Sequence, residues 1–178
     1  FIVMIAVVLP QPLTANFLQN QRGLSIARIG QLGALGALGS VVLMLAFGHL
    51  PSNISMVIGQ LGVMLFAALI WLGRGFAWYG LAYIFLGGYR LCRAMTVALV
   101  RPLVREFEVG FAFGIVESLN SLAFMVAPVI AGWLYDWQPV AVFPISAALL
   151  GMTMIISFVI MRRNHSGRDI PQINTYPD

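Results

Sequence analysis

The sequence contains few charged residues, a single cysteine, two histidines and no lysine. Charged residues make up 9% of its 178 positions, whereas soluble globular domains have about 25%. The segments 29–73 and 137–161 contain no Asp, Glu or Arg at all. A soluble domain covers its surface with polar side chains, and this chain has too few of them. Soluble enzymes, nucleic-acid-binding proteins and disordered proteins are therefore excluded.

The few reactive side chains also limit the chemistry that the chain can perform. With one cysteine, and with His49 and His165 far apart in the sequence, no cluster of metal ligands can form. The G-x-S-x-G, H-E-x-x-H and P-loop motifs are all absent. We therefore expect no catalytic residue, no metal and no cofactor, and the protein is predicted not to be an enzyme. The ten arginines stand singly or in pairs, unlike the dense basic patch that nucleic acid requires, so no nucleic-acid partner is expected.

Hydrophobic residues dominate the rest of the sequence, at 60% of the chain. Runs such as residues 41–47 (VVLMLAF) lack the alternation of polar and apolar residues that a transmembrane β-barrel needs. Helices are therefore predicted, since about 20 apolar residues cross the hydrocarbon core as one helix. Loop residues and charges divide the chain into six segments, which predicts an all-α membrane protein with six transmembrane helices. The predicted spans are residues 1–19, 26–48, 53–72, 76–100, 110–134 and 138–161.

The arginines and tryptophans predict how these helices are oriented. The second and fourth connections and the C-terminal segment carry five arginines, against three for the remaining connections. Basic residues favour the cytosolic side, which places the C-terminus in the cytosol. All four tryptophans flank the third and fifth connections, as expected for an interfacial belt on the outer side. We expect an integral protein of a bacterial-type plasma (inner) membrane.

The two ends of the chain differ in composition. Residues 1–9 are apolar, do not begin with Met and follow no basic region, so we expect the sequence to start inside a transmembrane helix of a longer protein. Residues 164–178 are polar and contain proline, which predicts a disordered cytosolic tail. The predicted organisation is a six-helix transmembrane unit at 1–163, followed by that tail.

Glycine recurs at every third position in the second predicted span, at Gly30, Gly33, Gly36 and Gly39. A stripe of small residues lets helix backbones approach each other closely in a membrane. We therefore predict that this stripe packs against a neighbouring helix.

Apart from Arg28 at the start of the second span, three charged residues fall inside predicted spans, where charge is costly and usually functional. Helical rise places Arg93 about 13 Å and Glu117 about 10 Å from the cytosolic ends of the fourth and fifth spans. Because these consecutive helices are antiparallel, we predict an Arg93–Glu117 ion pair. Arg90 lies about 18 Å deep, one turn beyond Arg93. The pair is either a static bridge between two helices or a coupling site, and the sequence leaves both roles open.

Arg90 is predicted to face a polar cavity. An arginine near the membrane centre needs water and a counter-charge, and the chain offers it no acidic partner other than Glu117, which lies closer to Arg93. We therefore expect an anionic substrate, or an anionic group of a missing part of the protein, beside Arg90. Asn120 shares a helix face with Glu117 and belongs to the same predicted site.

The first predicted span is also unusually polar. Gln11 and Asn16 lie close to Pro10 and Pro12, and the two prolines are expected to kink or locally open the helix. These side chains either line the cavity or form hydrogen bonds between helices.

Three motifs resemble the C-terminal half of a major facilitator superfamily transporter, and the resemblance covers nearly the whole chain. Residues 127–136 (APVIAGWLYD) are similar to the P-x-x-x-G-x-L-x-D ending of the family's eleventh helix. Residues 19–30 resemble the outer loop that enters the eighth helix, and Arg101, Arg105 and the run FAFGIVES resemble the connection from the tenth to the eleventh. The connection 48–53 keeps G-x-L but lacks the charged residues of the family's G-x-L-x-D-R loop.

The resemblance implies a twelve-helix transporter built from two six-helix halves, with the substrate site between them. It implies that the first and fourth helices of this chain line the cavity, which places Gln11, Asn16, Arg90 and Arg93 there. The implied partners are a small-molecule substrate, the lipid bilayer and a missing N-terminal six-helix half. The predicted function is secondary active transport of a small solute by alternating access. The alternative is a channel-like or proton-translocating membrane subunit, which would carry ionisable groups on several helices.

Overall fold

The computed structural model describes the backbone of residues 1–166 and the side chains of residues 1–158. All regular structure within residues 1–166 is helical, and no strand occurs there. The α-helices are α1 (Ile2–Val8), α2 (Thr14–Asn20), α3 (Ile26–Phe47), α4 (Ser52–Leu72), α5 (Phe76–Leu86), α6 (Gly88–Val100), α7 (Val109–Trp137) and α8 (Val142–Ser166). Two single turns of 3-10 helix, Arg101–Leu103 and Glu106–Glu108, connect α6 to α7.

Four segments of the described chain are long and apolar enough to cross a membrane. They are Ile26–Phe47, Ser52–Leu72, Phe76–Leu103 and Glu106–Trp137. The apolar part of α8, Val142–Phe158, is shorter, and the first predicted span is divided between α1 and α2. The all-α fold is therefore confirmed, four segments fit a membrane crossing by length and composition, and six complete crossings stay a prediction.

The division of the first predicted span follows from its two prolines. Pro10 and Pro12 have no backbone N–H and cannot continue an α-helical hydrogen-bond ladder. The side chains of neighbouring residues occupy the carbonyl groups that the break leaves open. Gln11 Nε2 donates to the carbonyl oxygen of Val7 at 2.9 Å, and the Thr14 hydroxyl donates to that of Pro10. The predicted opening of the helix is thus present, with both sides of the break stabilised locally.

Helix α4 lies at the centre of the packing, in contact with α5, α6 and α8 and more weakly with α1. One core cluster joins α1, α4, α6, α7 and α8. A second cluster joins α2, α3, α4, α5 and the start of α8. In the second cluster, the Phe17 and Phe143 rings meet edge to face at 4.8 Å between centroids. The Phe66 and Tyr83 rings do so at 5.7 Å. The first cluster holds α6 and α7, which carry the polar residues described below, against the rest of the bundle.

Glycines mark the closest approaches between helices. A Cβ at Gly39 would lie 2.5 Å from the Cα of Ile84, and a Cβ at Gly87 would lie 2.5 Å from the backbone nitrogen of Ser40. The backbones of α3 and of the α5–α6 junction therefore nearly touch, and the predicted fourth span is interrupted there at Gly87. Gly36 also packs on this junction, whereas nothing lies within 4 Å of a Cβ at Gly30 or Gly33. The predicted glycine stripe therefore packs along its second half.

The C-terminal boundary differs slightly from the predicted one. Helix α8 is described to Ser166, so residues 164–166, assigned above to the tail, are helical. The rest of the predicted tail, residues 167–178, lies outside the described residues.

Candidate functional site

The ion pair predicted between the fourth and fifth spans is present. The two 3-10 turns after α6 reverse the chain, and α7 returns beside α6. Arg93 Nη2 contacts Glu117 Oε1 in a salt bridge, and the two side chains are 47% and 42% exposed. The pair therefore links α6 to α7 at the surface of this helical unit and is not enclosed in its core.

Two side chains contact the ion pair, and a third packs on one of them. Asn120 is 3% exposed, and its Nδ2 donates to Glu117 Oε2 at 3.4 Å. Both carboxylate oxygens therefore accept a hydrogen bond. The Arg93 guanidinium carbon lies 5.8 Å from the centre of the Phe124 ring, which itself packs edge to face on Tyr89 at 6.4 Å. Side chains held from several directions keep their rotamers, as a binding site requires.

Arg90 lies one turn from Arg93 on α6 and has no carboxylate partner in the described part of the chain. Its Nε donates to the Tyr89 hydroxyl at 3.0 Å, and its guanidinium carbon lies 5.8 Å from the Tyr89 ring. A guanidinium has five N–H donors, so the Nη hydrogens have no hydrogen-bond partner among the residues that the structure describes. Arg90 is exposed on the surface of the helical unit.

These side chains surround an open cleft of about 440 Å³ on α6 and α7. Its walls are formed by Tyr89, Arg90, Arg93, Ala94, Val97 and Glu117. Two guanidinium groups and one carboxylate leave the cleft with one excess positive charge. Arginine binds carboxylate and phosphate in a bidentate geometry. The arrangement can therefore bind a small anion through Arg90 while Glu117 and Asn120 hold Arg93 in place.

Two of the predicted site residues lie elsewhere. Gln11 is half-buried at the break between α1 and α2, where its amide bonds to Val7. Asn16 is exposed on α2, and its side-chain oxygen accepts a hydrogen bond from Asn20 Nδ2. Neither residue lines the cleft. Of the six predicted site residues, the structure brings Arg90, Arg93, Glu117 and Asn120 together.

One polar residue that the sequence analysis did not single out is Gln60, in the middle of α4. It is fully buried, and neither its amide nitrogen nor its amide oxygen has a hydrogen-bond partner among the described residues. Burying such a group unpaired costs about 1–3 kcal/mol. Gln60 is the single side-chain amide in the apolar stretch 56–72, and this is the signal that marks it in the sequence.

Within the described residues, no group of three or more His, Cys, Asp or Glu side chains is placed to hold a metal ion. Cys92 is a buried free cysteine whose Sγ donates a weak hydrogen bond to the carbonyl oxygen of Met56 at 3.5 Å. The side chains that line the cleft can bind a ligand by charge and by hydrogen bonds.

Comparison with known proteins gives one match. The family model described as Major Facilitator Superfamily matches residues 1–174, a range that includes the whole cleft. No curated protein and no solved structure matches the chain significantly.

Proposed function

The chain belongs to the major facilitator superfamily, and from this premise we propose that it forms part of a secondary active transporter of a small solute. In such transporters the substrate site lies near the membrane midplane between two repeats that rock against each other. The cleft of Arg90, Arg93 and Glu117 supports this proposal, because it is open, polar and carried by two segments long enough to span the membrane.

The proposed architecture is half of a twelve-helix protein. The unit described here supplies up to six crossings and pairs with a second six-helix half across the face that carries the cleft. The excess of arginines on one set of connections supports a cytosolic C-terminus in a bacterial-type plasma membrane. No catalytic role is part of the proposal.

The proposed cargo is a small anion with a carboxylate or phosphate group. One observation carries this step: Arg90 faces the cleft without a carboxylate partner in the described chain. Placing a charged arginine inside a membrane span costs at least about 2.5–3.5 kcal/mol of insertion free energy. An anionic ligand in a water-filled cleft offsets this cost. Hydrogen bonding of Arg90 to Tyr89 alone leaves its Nη groups available for that ligand.

The distribution of ionisable groups favours a transporter over a proton-translocating subunit. A proton relay steps through ionisable side chains on several helices. Away from the ends of the described spans, the charged residues are Arg90, Arg93 and Glu117, which lie on α6 and α7. Solute uptake that saturates with concentration is expected of the transporter and not of a channel.

The Arg90→Lys variant tests this function in proteoliposomes that contain the full-length protein. Lysine keeps the charge and loses the bidentate geometry. Losing one hydrogen bond to a charged group costs about 1.5–3 kcal/mol, so the KM for an anionic substrate is expected to rise about ten- to a hundredfold. Uptake would be measured for a panel of radiolabelled carboxylates and phosphates, with Arg90→Ala as the more severe variant.

Arg28→Lys is the matched control, because Arg28 is exposed at the start of α3 and away from the cleft. It is expected to leave KM unchanged. If Arg90→Lys and Arg90→Ala fold normally and both retain the wild-type KM, Arg90 does not bind the cargo and the anionic substrate class is wrong. Uptake that never saturates would contradict the transporter itself.

A further inference from the structure

A second cleft, distinct from the polar one, lies where α4 ends and α5 begins. It has a volume of about 500 Å³. Its walls are formed by Leu65, Ala68, Leu69, Leu72, Gly73, Arg74 and Trp78. Four of these residues follow one face of α4 at spacings of three and four. The cleft is therefore an apolar groove along α4, about 13 Å long between Leu65 and Arg74, with its one charged group at the end. We call it the Arg74 groove.

The backbone around Arg74 is fixed on both sides. Gly73 ends α4 with its N–H bonded to the carbonyl oxygen of Leu69, and Gly73 O accepts a hydrogen bond from the buried Tyr79 hydroxyl at 3.2 Å. Gly75 has φ +98°, a conformation that favours glycine, and α5 starts directly after it. Arg74 thus projects from a short, well-held turn, and no carboxylate pairs with it in the part of the chain that the structure describes.

The tryptophans locate this end of the groove at the membrane surface. Trp71 is 40% and Trp78 is 52% exposed, and exposed tryptophans concentrate at the level of the lipid headgroups. The Arg74 guanidinium lies between them in the sequence, at the boundary between α4 and α5. The apolar walls extend from that level towards the hydrocarbon core.

We propose that the Arg74 groove is a binding site for one anionic membrane phospholipid. The acyl chain lies along Leu65, Leu69 and Leu72, and the headgroup phosphate pairs with Arg74. An apolar groove with a cation at its outer end complements an amphiphile with an anionic head. A soluble anion would leave the leucine walls unused, and an apolar helix of another protein would leave Arg74 unpaired.

Quenching of Trp78 fluorescence by brominated lipids tests the site in the full-length protein. The other tryptophans are replaced by phenylalanine, and the protein is reconstituted into phosphatidylcholine vesicles containing brominated phosphatidylglycerol or brominated phosphatidylcholine. A single arginine near the surface enriches an anionic lipid about fivefold. The mole fraction of brominated phosphatidylglycerol that half-quenches Trp78 is therefore expected to be about one fifth of that needed with brominated phosphatidylcholine. Arg74→Gln is expected to make the two lipids equivalent.

Two pairs of variants separate a specific site from general attraction. Arg28→Gln removes another exposed arginine and is expected to keep the preference for phosphatidylglycerol. Ala68→Phe fills the groove and is expected to weaken quenching by both lipids, whereas Ala37→Phe, at an exposed position of α3, is expected to have no effect. The proposal is overturned if both lipids quench Trp78 equally in the unmodified site. It is also overturned if the preference for phosphatidylglycerol survives Arg74→Gln, or if Arg28→Gln removes that preference to the same extent.

Discussion

Arg93→Ala is expected to destabilise the full-length protein more than the double variant Arg93→Ala/Glu117→Gln. Removing Arg93 alone leaves the Glu117 carboxylate within a membrane span without its opposite charge, held only by Asn120. Breaking a buried pair from one side costs about 3–5 kcal/mol, and exposed pairs are worth about 0–1 kcal/mol. Because these side chains are 47% and 42% exposed, we expect a loss of about 1–2 kcal/mol between those limits.

A double-mutant cycle measures this coupling. Thermal unfolding would be followed for the wild type, Arg93→Ala, Glu117→Gln and the double variant in one detergent or nanodisc preparation. The double variant is expected to recover part of the stability that Arg93→Ala loses. Arg101→Ala, at an exposed position beyond α6, controls for loss of a positive charge as such. Additive losses from the two single variants would show that the ion pair does not link α6 to α7.

Gly39→Ala is expected to destabilise the protein by about 1–3 kcal/mol, since it overpacks a backbone contact. The added Cβ would lie 2.5 Å from the Cα of Ile84, and a backbone atom cannot move aside as a flexible side chain can. Helix α3 must then move away from the α5–α6 junction. This junction leads directly into α6, which carries the two arginines of the cleft.

Gly33→Ala is the matched control on the same helix. No atom lies within 4 Å of a Cβ at that position, and alanine is a better helix former than glycine by about 1 kcal/mol. The two substitutions are therefore expected to shift the unfolding temperature in opposite directions. Equal shifts, measured by the same thermal assay, would contradict the close approach of the helices at Gly39.

The helix boundaries of the middle of the chain could be predicted from sequence. Their spans are long apolar runs that end at glycine, proline or charge, so 26–48 and 53–72 match α3 and α4 closely. The break at Pro10 and Pro12 also followed from the missing N–H groups. The interruption at Gly87 did not, because two adjacent glycines inside an apolar run fit either a continuous packed helix or a break.

The lateral arrangement of the helices could not be predicted in the same way. Helices in a membrane are apolar on most faces, so hydrophobicity does not say which neighbour each face meets. The central position of α4 follows from close contacts, such as Gly59, where a Cβ would lie 2.8 Å from the carbonyl oxygen of Gly88. The sequence analysis did not select Gly59.

The candidate site was partly predictable because charge in a membrane is rare and costly. Helical rise and antiparallel direction were sufficient to pair Arg93 with Glu117, and the pair is present. Gln11 and Asn16 were placed in the cavity by resemblance, but they lie away from this cleft in hydrogen bonds with nearby groups of their own segment. Beside a helix break, polar side chains can form hydrogen bonds with unpaired backbone groups or with neighbouring side chains. The sequence pattern does not show whether such a side chain bonds locally or faces a cavity.

The electrostatic preference of the cleft for anions can be measured directly by labelling an introduced cysteine. Ala94 lines the cleft together with the two arginines and Glu117, so Ala94→Cys, in a full-length background without other cysteines, reports on it. Labelling rates would be compared for the anionic sulfonatoethyl and the cationic trimethylammonium-ethyl methanethiosulfonates. Ser118→Cys, exposed on α7 beside a groove without arginine, is the control. We expect the ratio of the anionic to the cationic labelling rate to be higher at position 94 than at position 118, and Arg90→Gln to remove this difference. An equal or lower ratio at position 94, or no reaction there, would contradict a water-filled, anion-binding cleft.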